Sequence, residues 1–388
     1  MPQSESNRID LRLSLETAWA ETPAAPTMAS LPYTSENLIY EKRTVKSSIV
    51  RADRLTDDVV EVGAGSSGDI NFEYKFTDFE SQMLAALGQQ AWTSATKTGA
   101  GTAANIDFAV SGGGNQVITG QSGDWTNFTV GAYVRVSGAN ANNNGVFRIF
   151  AKTATTLTVN NATGTSQTSS TANVLQKMAR TGTYKHSFLF EKSFPDITQF
   201  VTHRGMRVAT WALNVEAEQI ITGSFGYMGE RAVRAGATVS GSVTAASALS
   251  IVSATANMGR LEEAGVALTT KIRKIHFNLS TNARSLTAVA NKFPIGINMG
   301  SFEITGSLEA YFEDAAMLDK LINHSTTSLV FEFTSAEDDR TIITIPKLKF
   351  TSGWPVGAGL NQDTMLSLNF TAINDSVSSS MMQVDVLT

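Results

Sequence analysis

The most informative absence in this chain of 388 residues is cysteine, of which there is none. Without thiols the protein can form no disulfide framework, no thiolate metal site and no cysteine nucleophile. Long apolar runs are missing too, and no stretch approaches the ~18 residues that a membrane-spanning helix needs. The N-terminus is polar and lacks the apolar segment of a secretory signal. We therefore expect no secretory signal and no membrane partner.

Charged residues are also scarce, at 17% of the chain, against about a quarter in typical soluble domains. Ser, Thr, Asn, Ala and Gly replace them, a composition that suits β-rich surfaces buried in an assembly, where unpaired charges are costly. The formal net charge of -5 argues against a non-specific nucleic-acid binder, which normally presents a basic patch. It is compatible with a surface that nucleic acid passes without adhering.

One stretch organises the rest of the chain, Gly68–Leu87, with the sequence GDINFEYKFTDFESQMLAAL. Its apolar residues first alternate with polar ones, as in a half-buried strand, and from Phe79 onward follow helical spacing. Phe302–Leu321 aligns with this strand–helix unit without a gap, at an offset of 234 residues. The counterparts of Ile70, Met83, Leu84 and Leu87 are Ile304, Met317, Leu318 and Leu321. We interpret this pattern as an internal duplication.

Residues 89–178 have a different composition, rich in Gly, Asn, Ser, Thr and Ala, but they contain several strand-like runs and a hairpin signal at Asn144-Gly145. In the second copy only Asn323 to Ser328 separate the helix from the next strand, whereas in the first copy the gap extends from Leu87 to about Tyr184. The sequence therefore predicts a small all-β domain inserted into one helix-to-strand loop, where long insertions are tolerated.

The predicted fold class is mainly β with short helices, in duplicated β-sandwich or barrel units plus the small inserted domain. The predicted division of the chain is an N-terminal arm over 1–30, a first copy over 31–88 and 179–229, an inserted outer β domain over 89–178, a linker over 230–260, a second copy over 261–375 and a C-terminal tail over 376–388.

The sequence contains no convincing catalytic or cofactor motif. Gly63–Gly68 satisfies the letters of a dinucleotide-binding fingerprint, but a strand follows it instead of the helix that would hold a pyrophosphate, so we expect a flexible bend there. The four histidines are far apart in the sequence: His186, His203, His276 and His324. Acidic pairs fall in turns or at helix starts, where carboxylates are favoured. We therefore predict no enzymatic activity, no cofactor and no metal.

Four short segments follow one another along the chain in a specific order and spacing. They are Val45–Arg54, which ends in an Arg-x-Asp-Arg element, then Val62–Glu73 with its helix, then Phe190–Phe194 followed by Trp211–Val215, and finally Thr222–Gly229. This pattern resembles the tail tube (major tail) proteins of long-tailed, non-contractile bacteriophages, over roughly residues 10–88 and 180–375. The matching residues are Arg51, Asp53, Arg54, Gly68, Phe72, Glu73, Leu84, Leu87, Trp211, Gly223 and Phe225.

The resemblance implies a structural virion protein of the phage tail, made in the host cytoplasm. Members of the family build rings whose inner wall is a continuous β-barrel with strands from all subunits, and the stacked rings form a tube that conducts the genome. The implied partners are other copies of the chain, the tape-measure and tail-terminator proteins, and viral DNA that passes without specific binding.

Rings of this lineage, and of the related type VI secretion tube, are typically built from six single-fold units. A chain with two copies would supply six units with three chains, so we predict a trimeric, pseudo-sixfold ring with three outer knobs made by the inserted domain. A hexamer with a degenerate second copy is the alternative.

A different class of function is a tail-associated receptor- or carbohydrate-binding β protein, that is, an adhesin. Such a protein would share the Ser, Thr and Asn richness and the small β insert. Adhesins usually expose clustered aromatics for sugar stacking, whereas the five tryptophans here are scattered. Trp92 and Trp125 lie in the insert, and the others are Trp19, Trp211 and Trp354.

Overall fold

A computed structural model describes residues 3–99, 105–268, 270–357 and 359–388, excluding the side chain of Ser169. These residues form a mainly β protein with two short α-helices, α1 (Glu80–Leu87) and α2 (Ala316–Ile322), which confirms the predicted fold class. The strands are β1 (Asp10–Leu15), β2 (Thr27–Ser30), β3 (Ser35–Glu36), β4 (Ile39–Lys46), β5 (Val59–Glu73), β6 (Thr93–Thr98), β7 (Ile106–Ser111), β8 (Asn115–Thr119), β9 (Tyr133–Ser137), β10 (Gly145–Lys152), β11 (Thr156–Val159), β12 (Gln167–Ser170), β13 (Asn173–Arg180), β14 (Phe188–Phe194), β15 (Gln199–Glu216), β16 (Thr222–Gly229), β17 (Arg231–Ala235), β18 (Ser242–Thr244), β19 (Met258–Glu263), β20 (Val266–Ala267), β21 (Ile272–Ser280), β22 (Arg284–Leu286), β23 (Gly296–Asn298), β24 (Glu303–Tyr311), β25 (Thr326–Thr334), β26 (Arg340–Val356), β27 (Met365–Ala372) and β28 (Gln383–Leu387).

The central feature of the fold is one long antiparallel sheet, which we call the long sheet. Its strand order is β3, β5, β16, β15, β21, β24, β27 and β26. The first four strands come from the first predicted copy and the last four from the second. Pairing between β15 and β21 therefore joins the two copies edge to edge within one chain.

The two halves of the long sheet have the same topology. In the first half β5 leads through α1 and the insert to β14, β15 and β16, and β5 pairs with β16, β16 with β15, and β15 with β14. In the second half β24 leads through α2 to β25, β26 and β27, with the same neighbour relations. The strand–helix unit seen twice in the sequence is thus repeated in the topology around it.

The segment Gly63–Gly68 is not the flexible bend that the sequence suggests. It lies inside β5, where Gly63–Ser67 pair with β4 and Gly68 pairs with Tyr227 of β16. Three of its six residues are glycines, which lack a side chain and allow close approach of neighbouring backbone. Gly68 shows this close approach most clearly. Its φ is +148°, and a Cβ atom there would lie 2.6 Å from the carbonyl oxygen of Asn37. Glycine here permits close packing against the turn between β3 and β4.

Long strands β15 and β26 each belong to two layers. The first part of β15 pairs with β14 and β17, and its second part with β16 and β21. The first part of β26 pairs with β25 and β28, and its second part with β27. The helices and these outer strands cover one face of the long sheet, and a single apolar core extends through both halves.

Strand β6 and residues 105–180 form a β unit with its own core around Trp125 and Phe128. The predicted hairpin at Asn144-Gly145 exists, because β9 pairs with β10, but its turn is longer than two residues. The Asn144 side chain instead closes a loop by bonding both backbone groups of Ala139. The boundaries predicted for this domain and the others stay predictions.

The C-terminal strand β28 connects this inserted unit to the second half of the protein. It pairs with β26 on one side and with β13 on the other, and all five of its residues are buried. Asp385 is the one carboxylate in it, and its oxygens accept hydrogen bonds from the Tyr133 backbone N–H at 3.0 Å and from the Gln383 side chain at 2.6 Å. Arg180 and Arg148 are the nearby cations, but burial dominates and raises the pKa of Asp385 to about 7.

This raised pKa predicts a pH-dependent stability. The native state holds a proton on Asp385 up to about pH 7, whereas an unfolded chain releases it near pH ~3.9. The contribution of protonated Asp385 to the free energy of unfolding is therefore complete below about pH 4. This contribution, up to ~4 kcal/mol, is lost as the pH rises through 7. Relative to Asp385→Asn, which does not titrate, the unmodified protein should lose thermal stability between pH 5 and pH 8. A stability difference that is constant over this range would contradict the assignment.

Candidate functional surface: the polar face of the long sheet

The two faces of the long sheet have opposite chemistry. One face is packed with aromatic and aliphatic side chains, and the other, the polar face, holds mainly Ser, Thr, Asn and charged residues. One row across all eight strands illustrates this, formed by directly paired residues. It consists of Ser35, Asn71, Ser224, Ala212, Asn278, Thr305, Thr371 and Lys349.

Strand alternation explains this division, because successive side chains project to opposite faces. In β5, Ile70 and Phe72 are each 1% exposed, while Asp69 and Asn71 between them are exposed. The same alternation continues through β21, where Ile275, Phe277 and Leu279 are buried. The result is a broad hydrophilic wall backed by a continuous apolar core.

The polar face is more acidic than basic. Its carboxylates are Asp69, Glu73, Glu216, Glu303 and Glu309, and its lysines are Lys274 and Lys349. Glu216 is paired with Lys274 at 3.0 Å, and Glu309 lies 3.8 Å from Arg273. The other three carboxylates have no ion pair among the described residues, so this wall presents uncompensated negative charge.

Side-chain contacts on both faces of the sheet stabilise the junction between the two halves, where β15 pairs with β21. On the polar face the His276 Nδ1 lies 2.8 Å from the Asn214 side-chain oxygen, beside the Glu216–Lys274 pair. Burial lowers the pKa of His276, so the imidazole is neutral near pH 7. On the core face the Trp211 ring stacks on Phe225, with centroids 5.9 Å apart, and meets Phe277 edge-on at 5.1 Å. Trp211 thus links strands of both halves.

A glycine–phenylalanine pair recurs in the two halves with the partners exchanged. In the first half Phe72 of β5 is opposite Gly223 of β16, and in the second half Gly306 of β24 is opposite Phe370 of β27. A Cβ atom on either glycine would lie within 2.5 Å of the facing ring. Each phenylalanine side chain therefore occupies the space above its partner glycine. This packing fixes the register of the two neighbouring strands.

Most of the residues singled out in the sequence lie in this core and not on the polar face. Phe72, Trp211 and Phe225 are each 1% exposed, and Phe72 stacks on Phe79 at 4.1 Å and on Phe225 at 5.1 Å. Leu84 and Leu87 are buried in α1, and Ile304 and Met317, the counterparts of Ile70 and Met83, are buried in the second half. Leu318 and Leu321 are partly buried against the same core, and Glu73 alone of the set lies on the polar face.

Arg51, Asp53 and Arg54 lie elsewhere, at the tip of the hairpin formed by β4 and β5. Arg51 forms ion pairs of 2.7 Å with both Asp53 and Asp57, while Arg54 has a φ of +60°. The same tip exposes apolar side chains, including Val50 at 97% and Ile49 at 65%. The motif therefore shapes a projecting loop whose surface is unusually apolar.

A repeated buried ion pair escaped the sequence analysis. Glu191 of β14 is fully buried and lies 3.2 Å from Arg12 of β1, while Glu332 of β25 is 1% exposed and lies 3.2 Å from Arg260 of β19. The sequence signal is the repeated Ser-x-x-Phe-Glu, at Ser187–Glu191 and Ser328–Glu332. It was hidden because the insert changes the offset between the two copies.

The described residues contain no group of His, Asp and Glu side chains that could hold a metal ion. No helix in the described ranges is long and apolar enough to cross a membrane.

The apolar side of the junction should dominate its stability. Trp211→Ala should lower the free energy of unfolding by about 3–5 kcal/mol, since it removes a large buried ring. Glu216→Gln, on the opposite face of the same strand, should cost less than ~1 kcal/mol because the ion pair it breaks is solvent-exposed. Denaturant unfolding of both variants checks this, and comparable losses would contradict it.

Comparisons with known proteins agree with this architecture. A family model described as phage tail tube protein matches residues 6–372, which is nearly the whole chain. A comparison with the curated proteins finds no match. With the repeated β unit and the continuous sheet, the family match leads to one conclusion: this chain belongs to the phage tail tube protein family.

Proposed function

We propose that this protein assembles into rings, that the rings stack into the tube of a phage tail, and that the viral genome passes along the polar face of the long sheet. The family itself is structural, and its members are components of the virion tail. The observation that supports the proposal most strongly is the long sheet, with a buried apolar face and a face that is polar except at its β26 end, where Trp354, Val356 and Tyr311 are exposed.

A ring wall built from this sheet would place the polar face toward the lumen. The opposite face is already covered by α1, α2 and the outer strands, so it has no surface left to offer a channel. Antiparallel sheets commonly have one solvated face, and closure of the sheet into a barrel would remove its exposed edges. Polar side chains and water would then line the channel.

DNA would pass such a wall without adhering. Protein–DNA affinity depends mainly on contacts between Lys or Arg and the phosphates, whereas the polar face presents unpaired carboxylates at Asp69, Glu73 and Glu303. Repulsion between these carboxylates and phosphates acts over about a Debye length, ~8 Å at physiological salt. The wall therefore favours sliding over binding.

The stoichiometry follows from the repeated topology. Each chain supplies two equivalent four-stranded segments, so a ring of six segments needs three chains. We accordingly propose a trimer with pseudo-sixfold inner symmetry and retain a hexamer as the alternative. The insert occurs once per chain and should stand outside the wall, because it interrupts a loop at the end of α1 on the covered side of the sheet.

Ring stacking needs a surface that projects from the end of the barrel. The tip of the β4–β5 hairpin extends beyond the rest of the sheet and exposes Ile49, Val50 and Leu55. Burial of such side chains against a neighbouring ring would be favourable. We propose this tip as a contact between successive rings.

The adhesin alternative has less support. Of the two tryptophans in the insert, Trp125 is fully buried in its core, and Trp92 packs beneath the Lys177 ammonium at 5.4 Å. Neither forms the exposed aromatic platform that sugar stacking requires.

Electron microscopy of the concentrated, purified protein tests the proposal. End-on class averages should show a hollow ring with six inner lobes and three outer knobs. Six knobs would keep the tube but exclude the trimer. Compact particles without a channel at any concentration would contradict the tube.

Charge reversal on the polar face tests the role in genome passage. Phage carrying Asp69→Lys, Glu73→Lys and Glu303→Lys should assemble tails but release DNA at least several-fold more slowly in vitro, and added salt should restore the rate. The matched control reverses three exposed acids off this face, Glu5, Glu21 and Glu337. Equal ejection rates for the two triple variants would contradict the assignment of the lumen.

A further inference from the structure

The long sheet ends in two free edges, one at each end. At one end β3 pairs with β5 on one side only, and a groove of about 500 Å³ lies beside it, lined by Ser6, Asn7, Ile9 and residues 33–36. At the other end β25 covers β26 as far as Lys349, and Phe350–Val356 pair with β27 alone among the described residues. Unpaired strand edges are templates for addition of another strand.

The junction inside the chain indicates what should pair with each free edge. It joins β15, the last strand of the first half, to β21, the first strand of the second half. By the repeat, β26 is the counterpart of β15, and β3 is the counterpart of β21. The last strand of one chain should therefore meet the first strand of the next chain.

The observed strand pairings transfer this relation to individual residues. Asn278 is opposite Thr305, whose repeat counterpart is Asn71, and Asn71 is opposite Ser35. Ser35 thus stands where Asn278 stands. In the first half Asn214 of β15 is opposite Thr222, which is opposite Glu73. The repeat counterpart of Glu73 is Ser307, which is opposite Asn369, and Asn369 is opposite Ser352 of β26. Ser352 is therefore the counterpart of Asn214.

We propose that the free edge of β26 pairs antiparallel with the free edge at β3 of a second copy, so that Phe350–Ser352 lie opposite Tyr33–Ser35, with Ser352 opposite Tyr33 and diagonal to Ser35. This inference rests on the proposed ring and adds to it the two strands, their direction and their register. Continuity with the internal junction supports a second copy as the occupant of the groove beside β3.

The chemistry of the two junctions differs. Where the internal junction has Glu216 paired with Lys274, the free edge of β26 has Trp354, which is 61% exposed. An exposed tryptophan at the end of a sheet is a liability in a monomer but suits a contact that forms only between copies. The junction between chains should therefore resist high salt.

Paired cysteines test the register, and the absence of natural cysteine gives a clean background. Ser35→Cys with Ser352→Cys would place two thiols diagonally across the junction on the polar face, at about 7–8 Å, within reach of a short thiol-to-thiol crosslinker. Asn214→Cys with Asn278→Cys is the matched control, because these are the counterpart positions at the internal junction. Each single-cysteine variant is a further control.

The first pair should link chains into a ladder that ends at the number of chains in one ring, while the control pair should react without any increase in mass. Rings that assemble but show no link for the first pair would overturn the proposed junction and leave the tube intact. A ladder that continues beyond one ring would also overturn it, since the link would then join stacked rings. Absence of rings would contradict the proposed function itself.

A second variant measures the energetic role of the edge. Trp354→Ser should leave the thermal midpoint of the single chain unchanged but raise the concentration needed for ring formation at least tenfold. Phe150→Ser is the control, because Phe150 is exposed to a similar extent, 69%, on the insert. Equal assembly of the two variants would overturn the role assigned to Trp354.

Discussion

Pairing between β15 and β21 is the interaction on which the rest of this structure depends. It converts two copies of a β unit into one sheet, with a single apolar core on one side and an uninterrupted polar face on the other. Trp211 stabilises the junction from the core side, where burial of apolar surface contributes most to the free energy of unfolding. The ion pair on the polar side sets the chemistry of the surface and contributes little to stability.

Fusing two units in one chain changes the physics of a ring. A junction within a chain forms without loss of translational freedom, whereas a junction between chains must overcome that cost on each association. In a ring of three chains half of the junctions would be internal and preformed. The remaining ones can then be apolar edges, with Trp354 exposed until a neighbour arrives, and their sequence is free to differ from that of the internal junction.

The sequence was sufficient for the strand–helix unit and its repeat, because alternation at Ile70–Phe76 and helical spacing after Phe79 are local signals. It was insufficient where tertiary pairing decides. Gly63–Gly68 resembles a loop in composition, yet it lies in β5, where pairing with β4 and the close approach of the turn at Asn37 to Gly68 decide its structure. Likewise, no local pattern indicates that β28 bridges the insert and β26, or that Phe72 and Gly223 exchange roles with Gly306 and Phe370. Those relations depend on residues that are far apart in the sequence.

The most direct test of this account is a reconstruction of the assembled tube at a resolution that separates strands. We predict that Asn71, Ser224, Asn278 and Thr305 face the lumen in one continuous row, with α1 and α2 outside the wall. A tube whose lumen is lined by the helices, or whose wall breaks between β15 and β21, would contradict it.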